Sequence, residues 1–261
     1  MLVNTSEASK NQKIAVITGA NRGLGKSMAL HLAERGVGIV GTYRNNRSEG
    51  DALLDEIASR GSRGALLQLD CSVCSTFPNF ATSLAGTLEA TFGRRTFDFL
   101  VNNGGTGAYA PFADTTEEQF DEMISTHLKG PYFLSQRLLP LIVDGGRILN
   151  VSSGLARFTL PGSSAYASAK GGLEVLTRYM AKELGSRRIA VNVVAPGAIE
   201  TDFGGGRVRD NPEINKFVAA MTALGRAGLP DDVGAAVAAI LSDDFRWVDG
   251  QRIEVSGGQG I

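Results

Sequence analysis

The chain has 261 residues, an apolar fraction of 43%, thirty-three glycines and a net charge of −1. That balance offers no basic footprint for nucleic acid, and no apolar run is long enough to span a bilayer. Strand and helix signals alternate without a linker, so one α/β domain is expected over residues 13–261. A polar stretch, 1–12, has no apolar signal core and reads as the flexible N-terminal tail of a cytoplasmic protein.

The first strand is expected at 14–17, a β-branched apolar run of the kind that parallel sheets bury. Thr18-Gly19-Ala20-Asn21-Arg22-Gly23-Leu24-Gly25 follows, then a helix with Met28, Ala29, Leu32 and Ala33 at helical spacing. A glycine loop between strand and helix turns bare N–H groups and the positive end of the helix dipole toward one point, which makes an anion site. Its glycines also let a pyrophosphate approach the backbone closely. The second strand, 38–43, runs into Arg44. NAD sites usually carry an acidic residue about twenty positions after the loop, on the ribose diol. None stands here, whereas Arg22 and Arg44 flank the place for a 2′-phosphate, which guanidinium groups bind by paired donors. NADP(H) is therefore expected over NAD(H).

The third strand, 65–69, leads to Asp70 and the C-x-x-C of Cys71 and Cys74. Zinc needs about four ligands, and His31 and His127 are the only histidines, so no metal is expected. The cysteines read as small residues of a βα loop; a redox pair would need a thiol made acidic at a helix N-terminus. The fourth strand, 97–101, ends in Asn102-Asn103-Gly104-Gly105, and the fifth, 147–151, ends in Ser152-Ser153. Polar groups at the carboxyl ends of strands mark the ligand edge of an open parallel sheet. Between these strands, 123–134 reads as a helix interrupted near Gly130-Pro131.

Tyr166 and Lys170 come next, four residues apart on a helix whose stripe is Ala165, Ala169, Leu173, Leu176, Met180 and Leu184. Residues at that spacing are neighbours on a helix. A phenol with a pKa of roughly 10 is a poor acid or base at neutral pH, and an adjacent cation is expected to favour its ionised form, readying it to exchange a proton with a carbonyl or alcohol oxygen. The sixth strand, 190–194, precedes Pro196-Gly197-Ala198-Ile199-Glu200-Thr201. A substrate lid is expected around 201–226, hinged at Gly204-Gly205-Gly206 and helical around 217–224. The seventh strand is 252–255. Seven parallel strands with crossover helices give a single-domain Rossmann-type, doubly wound α/β sheet.

The ordered segments T-G-A-N-R-G-L-G at Thr18, L-D at Leu69, N-N-G-G at Asn102, S-S-G at Ser152, Y-A-S-A-K at Tyr166, P-G-A-I-E-T at Pro196 and E-V-S-G-G at Glu254 carry a resemblance. From Lys13 to its C-terminus the chain resembles the short-chain dehydrogenase/reductase family, in its shorter, single-domain branch. The resemblance implies hydride transfer between a nicotinamide and a carbonyl or carbinol carbon. It implies Tyr166 as general acid in reduction and Lys170 as the residue that lowers its pKa and holds the nicotinamide ribose. Ser153, with Ser152 as the neighbouring alternative, would hydrogen-bond to the substrate oxygen. The implied NADP site comprises Gly19, Asn21, Arg22, Gly23, Leu24 and Gly25 of the loop, with Arg44 beyond it. Asp70 is implied on the adenine amino group, with Cys71 beside it. Asn102, Gly104, Tyr166, Lys170, Pro196 and Gly197 are implied along the cofactor, Ile199 through its backbone and Thr201 on the carboxamide.

The resemblance further implies a homotetramer, or alternatively a dimer, built through the Tyr166 helix, its neighbour and the C-terminal strand. Tyr109, Phe112, Phe158, Leu160 and Phe203 in the loops point to a small-molecule carbonyl or alcohol with apolar parts. Two departures stand out: N-N-G-G replaces the family's N-N-A-G, and His127 takes a position usually held by asparagine. The family's asparagine carbonyl holds a water that links the lysine to solvent. The imidazole either packs in the interior or, with an ordinary pKa of roughly 6.5, joins that relay. A 3-oxoacyl-[acyl-carrier-protein] reductase is the alternative enzyme. Acidic carriers prefer a basic docking surface, and Val143-Asp144-Gly145-Gly146 supplies none. A non-catalytic dinucleotide-sensing or scaffold protein is the alternative of another class, and it would have no need of Tyr166, Lys170 and Ser153 together.

Overall fold

The computed structural model describes residues 12–261. The expected tail lies outside them except for Gln12, whose side chain donates to the carbonyl of Gly36 at 2.9 Å and accepts from Arg63. The strands are β1 (Ile14–Ile17), β2 (Gly38–Tyr43), β3 (Gly64–Gln68), β4 (Phe97–Asn102), β5 (Ile142–Val151), β6 (Ala190–Pro196) and β7 (Arg252–Val255). They form one parallel seven-stranded sheet in the order β3-β2-β1-β4-β5-β6-β7.

β1 is buried on both faces, which is why its residues are apolar without alternation. Ala15 and Ile17 join the core beneath α1 (Gly23–Glu34), α2 (Arg47–Ser59) and, through Val233 and Val237, the C-terminal helix. Ile14 and Val16 join the opposite core, which is filled by Phe77, Phe80, Leu84 and Leu88 of α3 (Phe77–Phe92). Each such fully buried leucine or phenylalanine contributes roughly 1.5–3 kcal/mol. The chain winds outward from β1 to β3, then returns to add β4 on the other side of β1. In sheets of this kind ligands bind where the order reverses, which here is between the carboxyl ends of β1 and β4.

α4 (Glu117–Ile124) starts at a capping box of Thr116 and Gln119 and passes through a π-helical turn, Ser125–Lys129, into α5 (Gly130–Leu138). The expected interruption at Gly130-Pro131 thus lies one turn earlier. Its cause is tertiary: a Cβ on Gly130 would stand 2.1 Å from the carbonyl oxygen of Cys71. Pro131 also has no N–H to offer the carbonyl four residues back, that of His127. β5 starts at Ile142, five residues before its expected start, with a register shift against β4 between Phe97 and Phe99. β3 ends at Gln68, one residue short of the expected end.

α6 (Ser164–Leu184) carries Tyr166 and Lys170 and buries Ala169, Leu173, Thr177 and Ala181 against the sheet. Leu176, Met180 and Leu184, expected in the buried stripe, are only half-buried. In the segment expected as a lid, α7 (Arg207–Asp210) and α8 (Pro212–Ala220) replace the helix expected around 217–224. Asn211 sets the start of α8 by accepting from the N–H groups of Glu213 and Ile214, with Pro212 at the first helical position. α9 (Pro230–Ile240) is the C-terminal helix of the first core.

Replacing Gly130 with alanine is expected to lower stability by about 1–3 kcal/mol, the cost of overpacking a filled site. A urea midpoint equal to that of the native chain would show that the π-helical turn does not depend on this contact.

Candidate active site

The crevice floor is built where the end of β5 meets α6. Lys170 is 5% exposed and its ammonium donates to the carbonyl of Val151 at 2.6 Å. Its nitrogen lies 5.6 Å from the centre of the Tyr166 ring. Ser152 and Ser153 separate cleanly. The Ser152 hydroxyl is buried and donates to Glu174 at 2.6 Å. Ser153 accepts from the N–H of Leu155 at 3.2 Å and faces the Tyr166 phenol. The hydroxyl beside the phenol is therefore that of Ser153.

The charge balance differs from the sequence expectation. Burial raises Tyr166 to about 12, opposed by the facing Ser153 hydroxyl. Burial also lowers Lys170 to about 7. Desolvation thus outweighs the helical neighbour, and Tyr166 is a protonated phenol at neutral pH, the state that a proton donor requires. His127 is lowered to about 2, by burial first and the Lys170 charge second, against its bond to Thr106. The imidazole is therefore neutral, and the near-neutral ionisation belongs to Lys170. His127 Nε2–H donates to the carbonyl of Thr106 at 2.6 Å, which leaves Nδ1 a buried acceptor without a partner. Its ring stands edge-on to Tyr166, with centroids 4.9 Å apart.

Both glycines of N-N-G-G have local causes. A Cβ on Gly105 would lie 2.6 Å from Cε1 of His127, and one on Gly104, at the alanine position of the family motif, would lie 2.9 Å from the sulfur of Cys71. Thr18 ties the crevice walls by accepting from the N–H groups of Asn103 and Gly104 at 2.9 and 2.8 Å.

The glycine loop fits a pyrophosphate. Gly19 and Gly23 have φ of +63° and +55°, and a Cβ on Gly25 would fall 2.2 Å from the carbonyl oxygen of Gly19. The N-terminus of α1 has no side-chain cap and no acidic residue in its first turn, so its N–H groups are available to an anion. Leu24 packs against the core behind the loop. Thr201 is buried beside Gly23 and accepts from the N–H of Phe203. Gly197 donates its N–H to Val255 at the end of β6, just beyond Pro196, and Ile199 bridges to Gly228. Arg44 is exposed, with no acidic partner among the described residues.

Other expected cofactor residues are engaged differently. The Asn102 amide donates to Ser135 and Asn150 at 3.0 and 2.8 Å, buried within the sheet and turned from the crevice. One Asp70 oxygen accepts from the N–H and hydroxyl of Ser72, a local turn that leaves its second oxygen for another donor. Asn21 donates to Glu49 at 2.8 Å, and Arg22 stands 3.6 Å from Asp202. Cys71 is pushed up to about 12 by burial, so its thiol stays protonated at neutral pH. No cluster of metal-ligating side chains occurs among the described residues.

The segment expected to form a lid meets this floor at two aromatic contacts. Phe203 lies 5.8 Å from the Tyr166 ring, and Arg207 stacks 5.0 Å over Tyr109. Gly204, Gly205 and Gly206 are all left-handed, at φ of 62°, 78° and 74°, a backbone suited to a hinge. Sequence reasoning missed Glu174 and Thr18; the one signal for Glu174 is its position four residues after Lys170.

The family model described as enoyl-(acyl carrier protein) reductase matches residues 19–259. A hydroxynaphthalene reductase-like protein of Metarhizium brunneum is 34% identical over 257 residues, covering 94% of each chain. Among solved structures, the promiscuous reductase LugOII, which catalyses keto-reduction at C1 during lugdunomycin biosynthesis, has a TM-score of 0.91 at 36% identity, over 97% of this chain and 100% of that one. The angucycline C-6 ketoreductase LanV with bound NADP has a TM-score of 0.90 at 33% identity, over 95% of each chain. The chain belongs to the short-chain dehydrogenase/reductase family and is an oxidoreductase.

Reductive turnover is expected to fall as pH rises through about 7, as Lys170 loses the proton that makes it a cation. His127→Asn should keep that ionisation and Lys170→Met should lose it. A profile in which His127→Asn removes it would return the near-neutral proton to the imidazole.

Proposed function

We propose that the protein is an NADPH-dependent ketoreductase that reduces a carbonyl carried on an aromatic or polycyclic framework. The observation that carries this reading is the Tyr166 phenol facing Ser153, with the buried Lys170 beside it and the ring of Phe203 5.8 Å away. NADPH supplies the hydride when bound. Tyr166 gives its proton to the carbonyl oxygen, and the Ser153 hydroxyl hydrogen-bonds to that oxygen as charge develops on it. Lys170, in its charged form, stabilises the phenolate left behind, and it would also hold the ribose. The glycine loop would hold the pyrophosphate, the second oxygen of Asp70 the adenine amino group, and Thr201 the carboxamide. Arg44, with no carboxylate partner among the described residues, would take the 2′-phosphate, and Arg22, now 3.6 Å from Asp202, would join it there. Residues 201–226 act as the lid.

The relatives named for hydroxynaphthalene and angucycline chemistry support an aryl ketone, and Tyr109, Phe158 and Phe203 supply matching rings. Tyr132 and Phe133 on α5, with Val175 and Tyr179 on α6, are large and exposed, which supports a homotetramer, or a dimer, joined through these helices. Two unpaired cysteines suit the reducing cytoplasm. No helix among the described residues is long and apolar enough to cross a membrane.

With NADPH and a panel of aryl ketones, Tyr166→Phe should lower kcat by about 10²–10⁴-fold, the usual worth of general acid catalysis, while NADPH still binds. Near-native turnover in that variant would remove Tyr166 from the mechanism. Arg44→Ala should cut the preference for NADPH over NADH by about tenfold through loss of a paired phosphate contact; an unchanged ratio would move the 2′-phosphate elsewhere. Sedimentation at micromolar concentration should show an oligomer, and a monomer would refute the assembly.

A further inference from the structure

One face of α6 grips the end of β5 residue by residue. Lys170 donates to the carbonyl of Val151, Glu174 accepts from the Ser152 hydroxyl, and Tyr166 faces Ser153. The three helix residues are spaced by four, so they stand in one row on a rigid element. The proposed reaction uses the rungs at Tyr166 and Lys170 and gives the Glu174 rung no part.

That rung is nonetheless the most braced of the three. Arg252 Nε on β7 donates to the same Glu174 oxygen that accepts from Ser152, at 2.8 Å. Its Nη1 donates to Glu254 at 2.9 Å, and its Nη2 reaches the carbonyl of Ser153 at 3.4 Å. Arg157 holds Glu254 through two nitrogens and the carbonyl of Gln259 at 2.8 Å. The side chains of Glu174 and Arg252 are only 13% and 21% exposed, so solvent screens this pair less than a surface ion pair. The Ser152 N–H donates to Val194 on the sheet side at 2.7 Å. The turn before Ser153 is thus clamped from the helix, from β6 and from β7. Ser153 needs that restraint: its oxygen accepts from Leu155, and only a fixed backbone aims its single O–H, beside Tyr166, at a substrate oxygen.

We propose that Glu174, held by Arg252, is a positioning residue that fixes the Ser152–Ser153 turn and so aims the Ser153 hydroxyl. The inference rests on the ketoreductase reading for its effect on turnover. With tetralone, a bicyclic aryl ketone, Glu174→Ala and Ser152→Ala should each lower kcat about tenfold, the scale of a small misplacement of a reacting group. The KM for NADPH should change by less than about twofold, because the ground-state cofactor contacts are untouched. Glu174→Gln keeps an acceptor for Ser152 and should recover part of the loss. In a Ser153→Ala background, with no hydroxyl to aim, adding Glu174→Ala should cost little more.

Amide hydrogen exchange of native chain and variants reads the same turn without substrate: Leu155 should exchange faster in Glu174→Ala and in Ser152→Ala. Should Glu174→Ala fail to fold, Ser152→Ala removes the rung with the ion pair intact and carries both measurements. Unchanged kcat in a folded variant, or a full tenfold loss persisting in the Ser153→Ala background, overturns the proposal. If the native enzyme reduces no aryl ketone, the ketoreductase reading fails alone, and unchanged Leu155 exchange would then refute the positioning.

Discussion

The ammonium of Lys170, buried and donating to the carbonyl of Val151, is the interaction around which the molecule is arranged. A buried cation is costly unless oxygen atoms receive it. Here the receiving atom is the end of a central strand, so the helix bearing the acid is locked to the sheet bearing the serine. Burial draws the ammonium toward losing its proton and holds the phenol in its protonated form. Acid and cation are thereby set close to the states needed for reduction near neutral pH.

The same packing explains the chain's departures from its family. His127 fills the space beside Gly105 and fastens the Thr106 carbonyl, while Cys71 occupies the space beside Gly104. A side chain at Gly105 would meet the His127 ring and one at Gly104 the Cys71 sulfur, so either would displace the strand-end loop. The imidazole is neutral and braces that loop. The water relay assigned by resemblance to this position depends on a main-chain carbonyl, and Pro131 deprives the carbonyl of His127 of its α-helical donor.

Much of this architecture was legible in the sequence because it rests on apolar runs and glycine spacing. The strand at 14–17 and the Gly19–Gly25 loop need no distant partner to be recognised. The early start of β5 was not legible, since Asp144-Gly145-Gly146 looks like a turn and becomes strand only through a shifted register with β4. Residue type also failed to give direction. Asn102 stands at a strand end facing the crevice, yet its amide turns into the sheet toward Asn150. The four-residue spacing showed that Tyr166 and Lys170 are neighbours, but the depth of their burial, which decides their protonation, is a property of the packed fold. Glu174 continued the same row and carried no sign of its partner Arg252, which is distant in sequence and adjacent only once the sheet forms.

The central claim is that this crevice passes a hydride to a carbonyl carbon while Tyr166 supplies the proton. Turnover of an aryl ketone with NADPH deuterated at the transferred position tests it most directly, with the product examined by mass spectrometry and NMR. The account predicts one deuterium on the carbinol carbon of every product molecule and a hydroxyl hydrogen drawn from solvent. Product formed with no deuterium at that carbon would contradict it.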